Sequence, residues 1–154
     1  MARPRQAARF AQVRDDLGCH LSREELLSAL AAPDAHVANT AFSGLELADV
    51  AADGTVFENV VFRGCGFERV NLSNCTFTDV LFSGCRFVRC DMGRSWLNRV
   101  DFRGCSAPGL SLLKGRLSGV SVVDGQLSYA DFSEAAVERL AASETKLSEA
   151  SFHA

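Results

Sequence analysis

Histidine is nearly absent from this chain. His20, His36 and His153 are the only three among 154 residues, so chemistry built on imidazole has little material. The sequence has no G-x-S-x-G nucleophile elbow and no G-x4-G-K-[ST] phosphate loop. The stretch Gly64-Cys65-Gly66-Phe67-Glu68-Arg69 starts like a dinucleotide loop, but it ends in arginine and no strand–helix–strand unit surrounds it. No apolar run approaches 18 residues, which excludes a membrane-spanning helix. The first 21 residues begin basic but lack a continuous apolar core, and Asp15 and Asp16 fit poorly with a transit peptide. A cytoplasmic protein with no membrane partner is the expectation. The formal net charge of −3 excludes a basic footprint over the whole chain, so no direct nucleic-acid binding is expected. No two of the six cysteines make a C-x2-C pair, and inside a cell six cysteines are expected to stay reduced. No cofactor, metal or enzymatic activity is expected.

What is present is order of an unusual period. A large apolar residue returns at Phe62, Phe67, Leu72, Phe77, Phe82 and Phe87. A spacing of five matches neither the 3.6 of a helix nor the 2 of a strand. Taken every fifth residue from Phe42 to Phe152, all 23 positions are apolar, and ten of the eleven phenylalanines fall on them. With this position called i, the column at i−2 runs from Thr40 to Ala150 and holds only Val, Cys, Ala, Leu, Gly, Thr and Ser. Beyond Phe42 all 25 charged residues lie in the other three columns.

The columns define a physical unit. In an extended stretch i−2 and i point the same way and i−1 points oppositely. The first two therefore face a core and i−1 faces water. The chain must turn at i+1 and i+2. Position i+2 holds Gly44, Gly54, Gly64, Gly84, Gly104, Gly109 and Gly119, with Asn59 and Asn74, which suit the positive φ of a tight corner. A longer echo sets the number of corners. Phe62-Arg63-Gly64-Cys65 returns as Phe82-Ser83-Gly84-Cys85 and as Phe102-Arg103-Gly104-Cys105, four units apart each time. Four corners per coil would stack these cysteines about 4.8 Å apart, the spacing of paired strands.

These residues identify a resemblance. Asn71-Leu72-Ser73, Asp101-Phe102-Arg103 and Tyr129-Ala130-Asp131-Phe132-Ser133 are similar to the A(D/N)LXX consensus of pentapeptide-repeat proteins. The resemblance covers about residues 37–154. It implies an all-β fold, a right-handed quadrilateral parallel β-helix of about six coils with four pentapeptides each, in a bacterial protein. This chain departs from consensus in its heavy use of Phe at i and of Cys or Val at i−2.

Residues 1–36 lie outside the repeat and read as an N-terminal helical capping segment, because a solenoid needs its open end covered. Ser22-Arg23-Glu24-Glu25 is a capping box ahead of Leu26, Leu27 and Leu30, and Pro33-Asp34 stops that helix. An earlier helix is expected from about Arg5 to Leu17, carrying Phe10, Val13 and Leu17. The stretch Glu134–Ser143 has helical propensity, but the frame runs on through Leu147 and Phe152, which favours a further coil. No cap is evident after it, so a homodimer through the C-terminal coil is expected.

Chemistry is sparse. Cys65, Cys85 and Cys105 form a vertical line that cannot converge on a tetrahedral metal, and Cys75 and Cys90 lie on other faces, so all five read as core filler. Cys19-His20 is an isolated pair. Asp91 and Asp101 sit at i−1, outward on a convex rod without a water-excluding pocket. Charge is banded along the chain: −4 over residues 42–58, +5 over 86–116 and −4 over 124–149. Several outward positions are apolar. Val61 and Leu81, with Trp96 beside Arg86, Arg89, Arg94 and Arg99, form the candidate interaction patch. Val56 shares the Trp96 face. The expected role is a non-enzymatic protein-interaction or scaffold module with an unidentified protein partner. The resemblance also implies an alternative, a DNA-mimicking modulator or protector of a type II topoisomerase (DNA gyrase). A basic belt opposes that alternative, because the phosphate array to be imitated is uniformly negative.

Overall fold

A computed structural model describes residues 9–14, 16–19 and 21–153. Helix α1 (Arg23–Ala31) is followed by nine strands: β1 (His36–Ser43), β2 (Glu46–Ala48), β3 (Val56–Arg63), β4 (Gly66–Glu68), β5 (Thr76–Ser83), β6 (Arg86–Val88), β7 (Trp96–Arg103), β8 (Arg116–Val123) and β9 (Ala136–Ser143). All pairings are parallel, in the order β1-β3-β5-β7-β8-β9 and β2-β4-β6. Each residue pairs with the one 20 positions on, as in Phe42 with Phe62 and Phe62 with Phe82. Isolated bridges keep the same step from Ala51 to Asn71, Asp91, Ser111, Asp131 and Ser151. The chain is a four-walled parallel β-helix.

The corners explain the period. Every fifth residue from Asp34 to Glu149 has positive φ, seven of them glycine and seventeen not. Long strands such as β1 bend through one such corner, at Asn39, and so contribute to two walls. The i residues fill the lumen in stacked columns. Phe42, Phe62, Phe82 and Phe102 stack at 5.3, 5.2 and 5.0 Å between centroids. Phe57–Phe77 and Phe67–Phe87 stack at 5.1 and 4.9 Å, and rings on adjacent walls meet edge to face. Both arrangements are favoured by ring quadrupoles. Leu97, Leu112, Leu117 and Leu127 take the place of rings on several steps before Phe132 and Phe152, which stack at 4.8 Å. Only residual voids of about 10 Å³ remain within the lumen, too small for a ligand.

The i−2 column is more than filler. Sγ of Cys75, Cys85, Cys90 and Cys105 donates to the carbonyl of Ala52, Phe62, Phe67 and Phe82, at 3.2, 3.2, 3.2 and 3.3 Å. Ser95 and Thr145 hydroxyls donate to Leu72 and Val122 carbonyls in the same way. Each donor reaches the i residue 23 positions earlier, satisfying a carbonyl near a corner of the preceding coil. Serine and threonine in this column were the signal that it wants a donor as well as a small volume.

Helix α1 covers the N-terminal opening. The Ser22 side chain accepts from the Glu25 N–H, and Leu26 and Leu30 are buried in the cluster that contains Phe42 and Leu47. The earlier helix does not form in its described part: residues 9–14 have no helical structure, while 5–8 and Asp15 lie outside the described residues. This segment instead runs along the outside of the rod. The N–H groups of Phe10, Gln12 and Arg14 donate to Asp101 Oδ1, Asp79 Oδ1 and Asn59 Oδ1 at 3.0, 3.0 and 3.2 Å. Further on, Gly18 O accepts from Ala41 N. Alternate N–H groups of an extended chain face one side, and here each finds an acceptor on a successive coil. A helix would turn those groups inward.

Candidate interaction surface

Four walls follow from the 20-residue register, and outward side chains on each are read by number. The Trp96 wall carries His36, Val56, Thr76, Trp96, Arg116 and Ala136 at i−1. The next wall carries Ala41, Val61, Leu81, Asp101 and Ser121. The third carries Glu46, Gly66 and Arg86, and the fourth Asn71, Asp91 and Ser111.

The structure therefore spreads the sequence-predicted patch around the rod. Val61 and Leu81 share one wall, but Val61 is 1% exposed and Leu81 half-buried. Segment 9–14 lies on this wall, with Ala11 itself buried. Arg86 and Arg89 belong to the third wall and its corner. Arg94 stands at the corner leading into the Trp96 wall, and Arg99 at the corner leading out of it. Asp101 points outward as its column demands, yet it is fully buried under the same segment. Its Oδ1 also accepts from Ser121 Oγ at 2.6 Å, and its Oδ2 lies 4.0 Å from Arg9 Nε. Sequence reasoning missed this burial because the covering residues sit far away in the chain.

Charges pair along the rod axis. The Arg69 guanidinium grips Asp49 at 2.6 and 3.0 Å, holding that carboxyl below its ordinary range. Arg99 grips Asp79 at 2.8 and 2.9 Å. Burial raises the Asp79 carboxyl, but the Arg99 guanidinium and the Gln12 N–H outweigh it and hold it low. Arg86 reaches Glu46, two coils away, at 2.6 Å. Gly66 lies between them and leaves the space: a Cβ there would stand 2.0 Å from Glu46 Oε2 and 2.8 Å from Arg86. Arg86–Glu46 and Lys114–Glu134 join the basic band to the acidic ones, while Arg69 and Asp79 lie between the bands. Arg89 and Arg94 make no ion pair among the described residues.

What stays open is the Trp96 wall. Trp96 is 43% exposed and Val56 38%, two coils apart in a single column with Thr76 between them. The Arg116 guanidinium lies 5.1 Å from the Trp96 ring centroid, a cation–π contact that fixes the indole against the wall. Below them Leu117, Ser118, Val137 and Glu138 line a shallow depression of about 180 Å³. Other exposed apolar residues, Val88, Leu113 and Tyr129, stand on other walls. Cys19 is exposed, with Sγ 3.0 Å from Leu21 O, and His20 lies outside the described residues. Among the described residues no group of three His, Cys, Asp or Glu side chains is placed to hold a metal, and no helix is long and apolar enough to cross a membrane.

A parallel four-walled coil with a left-handed corner every five residues defines a class, the β-solenoids of pentapeptide repeats. The family model described as "Pentapeptide repeat region" matches residues 55–132, and the chain belongs to this family. Solved structures share the fold, Rfr23 and HetL among them. Rfr23, a pentapeptide repeat protein from the cyanobacterium Cyanothece 51142, matches with a TM-score of 0.68 at 10% identity, over 73% of this chain and 90% of that one. HetL, involved in heterocyst differentiation regulation in Nostoc sp. strain PCC 7120, matches with a TM-score of 0.53 at 18% identity, over 85% and 72%. QnrB1, a plasmid-mediated fluoroquinolone resistance protein, matches with a TM-score of 0.49 at 20% identity, over 75% and 66%. No curated protein matches the sequence.

Proposed function

We propose that the rod is a non-enzymatic protein-interaction module that docks a cytoplasmic protein on its Trp96 wall. The observation that carries this reading is the exposed indole, pinned by Arg116 and stacked in one column with exposed Val56. A tryptophan held rigid at a surface brings large apolar area at low entropic cost, which is why it recurs as an interface anchor. Arg94 at the adjoining corner and Arg116 are the cations nearest the indole, with Glu58 and Glu138 further along the same wall, so the fitting partner sets a carboxylate beside the apolar side chain that meets Trp96. The filled lumen and the convex walls offer no enclosed site for a reaction. Capture from native lysate by wild type, Trp96→Ala and Arg94→Glu tests the reading. Loss of the same partner in both variants is expected, and unchanged capture in both overturns it.

The reading extends to the far end of the rod. Strand β9 is the edge of its sheet, and Phe152 and Val137 are 57% and 48% exposed there. An open edge above an apolar lumen fits a second copy. Sedimentation velocity is expected to show a concentration-dependent dimer that Phe152→Glu abolishes; a monomer at every concentration contradicts it. DNA mimicry of a topoisomerase substrate is the competing reading. Arginines on three corners, at Arg89, Arg94 and Arg99, and on two walls, at Arg86 and Arg116, oppose a uniformly negative surface. No effect on gyrase supercoiling at micromolar protein is expected, and protection or inhibition would decide for mimicry.

A further inference from the structure

We propose that the wall beneath residues 9–14 is a peptide-binding groove, and that the chain's own N-terminal segment is its tethered occupant. The groove takes an extended segment of a partner protein carrying a basic, an aromatic and a small residue in succession. Three features built into the rod support this. First, acceptors stand on three consecutive coils. Asn59, Asp79 and Asp101 offer Oδ1 atoms to the N–H groups of residues 14, 12 and 10, which are main-chain contacts any extended peptide can make. Second, the aromatic has a made seat. The ring packs over the bare Gly119, where a Cβ would lie 3.5–3.6 Å from the Phe10 side chain, ordinary van der Waals contact that a longer side chain would turn into a clash, and the Arg139 guanidinium lies 5.8 Å from its centroid. Third, the groove has matching charge. The Asp101 carboxylate is fully buried, its Oδ2 has no hydrogen-bond partner, and its nearest cation is Arg9, at 4.0 Å. A buried carboxylate left partly unpaired favours an occupant that brings a better-placed cation.

Occupancy by the chain's own segment makes the site self-competing. The covalent link keeps the segment at a high effective concentration, so a partner peptide must outbind it or wait for it to lift. The groove lies one wall round from Trp96. The two surfaces share only the premise that the rod binds protein, and they fail separately.

The test uses the full-length protein and a fluorescent peptide with the sequence of residues 9–14 between glycine-serine flanks. Phe10→Ala with Ala11→Glu opens the groove, since a carboxylate at position 11 is repelled by Asp79 and Asp101. Anisotropy should report saturable binding to the opened variant and at least tenfold weaker binding to wild type. Adding Gly119→Asn to the opened variant should remove binding at least tenfold. Asparagine accepts the positive φ of +73° at this position while its side chain fills the ring seat. Absence of binding to an opened variant that keeps the wild-type melting transition overturns the proposal. So does binding that Gly119→Asn leaves unchanged. If the opened variant fails to fold, wild type decides: unlabelled peptide in excess should speed hydrogen exchange at the amides of Phe10, Gln12 and Arg14, and unaltered exchange overturns the proposal.

Discussion

Seventeen residues other than glycine hold a left-handed backbone in this rod, and none of them is β-branched. The corner set is Asp, Asn, Arg, Lys, Glu and Tyr. All lack a second branch at Cβ, where crowding with the carbonyl makes this conformation costly. Gly104 isolates the effect, because its φ is +62° and a Cβ would meet nothing within 4 Å. Gly104→Val is expected to lower stability by about 1–2 kcal/mol in thermal or urea unfolding, and Gly104→Asn by much less. Equal losses would show that space, not backbone, constrains the corner. The buried thiols give a second residue-scale prediction. Burial pushes the Cys75 thiol up from its ordinary value of 9.0 to about 11. The neighbouring Cys105 thiol, together with burial, pushes the Cys85 thiol up to about 12. The folded state binds these protons more tightly, so their contribution is complete below pH 9 and is lost as pH climbs through the folded values. Stability should fall between about pH 9 and 11, and less steeply in Cys75→Ala. At pH 8 iodoacetamide should modify Cys19 alone among the six until the protein unfolds.

At the scale of elements, the outcome turned on how far away each hydrogen-bonding partner lies. Helix α1 was legible because its capping box and its stop are local. Leu26 plugs the lumen from it, and Leu26→Ala should cost about 2–5 kcal/mol in unfolding experiments; a loss below 1 kcal/mol would mean that the helix is not a cap. Residues 136–143 have good helical propensity, yet they form β9, because seven positions of β8 pair with them in register. The frame read from Leu147 and Phe152 carried that information. Segment 9–14 carried none. Its acceptors lie 45 to 91 residues away, so the spacing of Phe10, Val13 and Leu17 looked helical although the rod dictates an extended chain. The positions of Asn59, Asp79 and Asp101 on successive coils would have had to be known first.

At the scale of the whole molecule, the walls and lumen were readable from two numbers, a period of five and an echo of twenty. The interaction patch was not, because charge and apolarity were grouped by proximity in sequence. Positions ten apart, such as Arg86 and Trp96, fall on opposite walls of a four-cornered coil. Cross-coil pairs such as Asp49–Arg69 also absorb charge that looked available. All functional readings depend on this geometry, since it decides which side chains share a surface. Electron–electron distance measurements on spin labels test it directly, in a Cys19→Ser background with labels at positions 58 and 118 and then at 58 and 138. Both pairs lie on the Trp96 wall, three and four coils apart. The account predicts two narrow distributions whose centres differ by about 4.8 Å, one strand spacing. Broad distributions, or centres that do not move by that step, would contradict it.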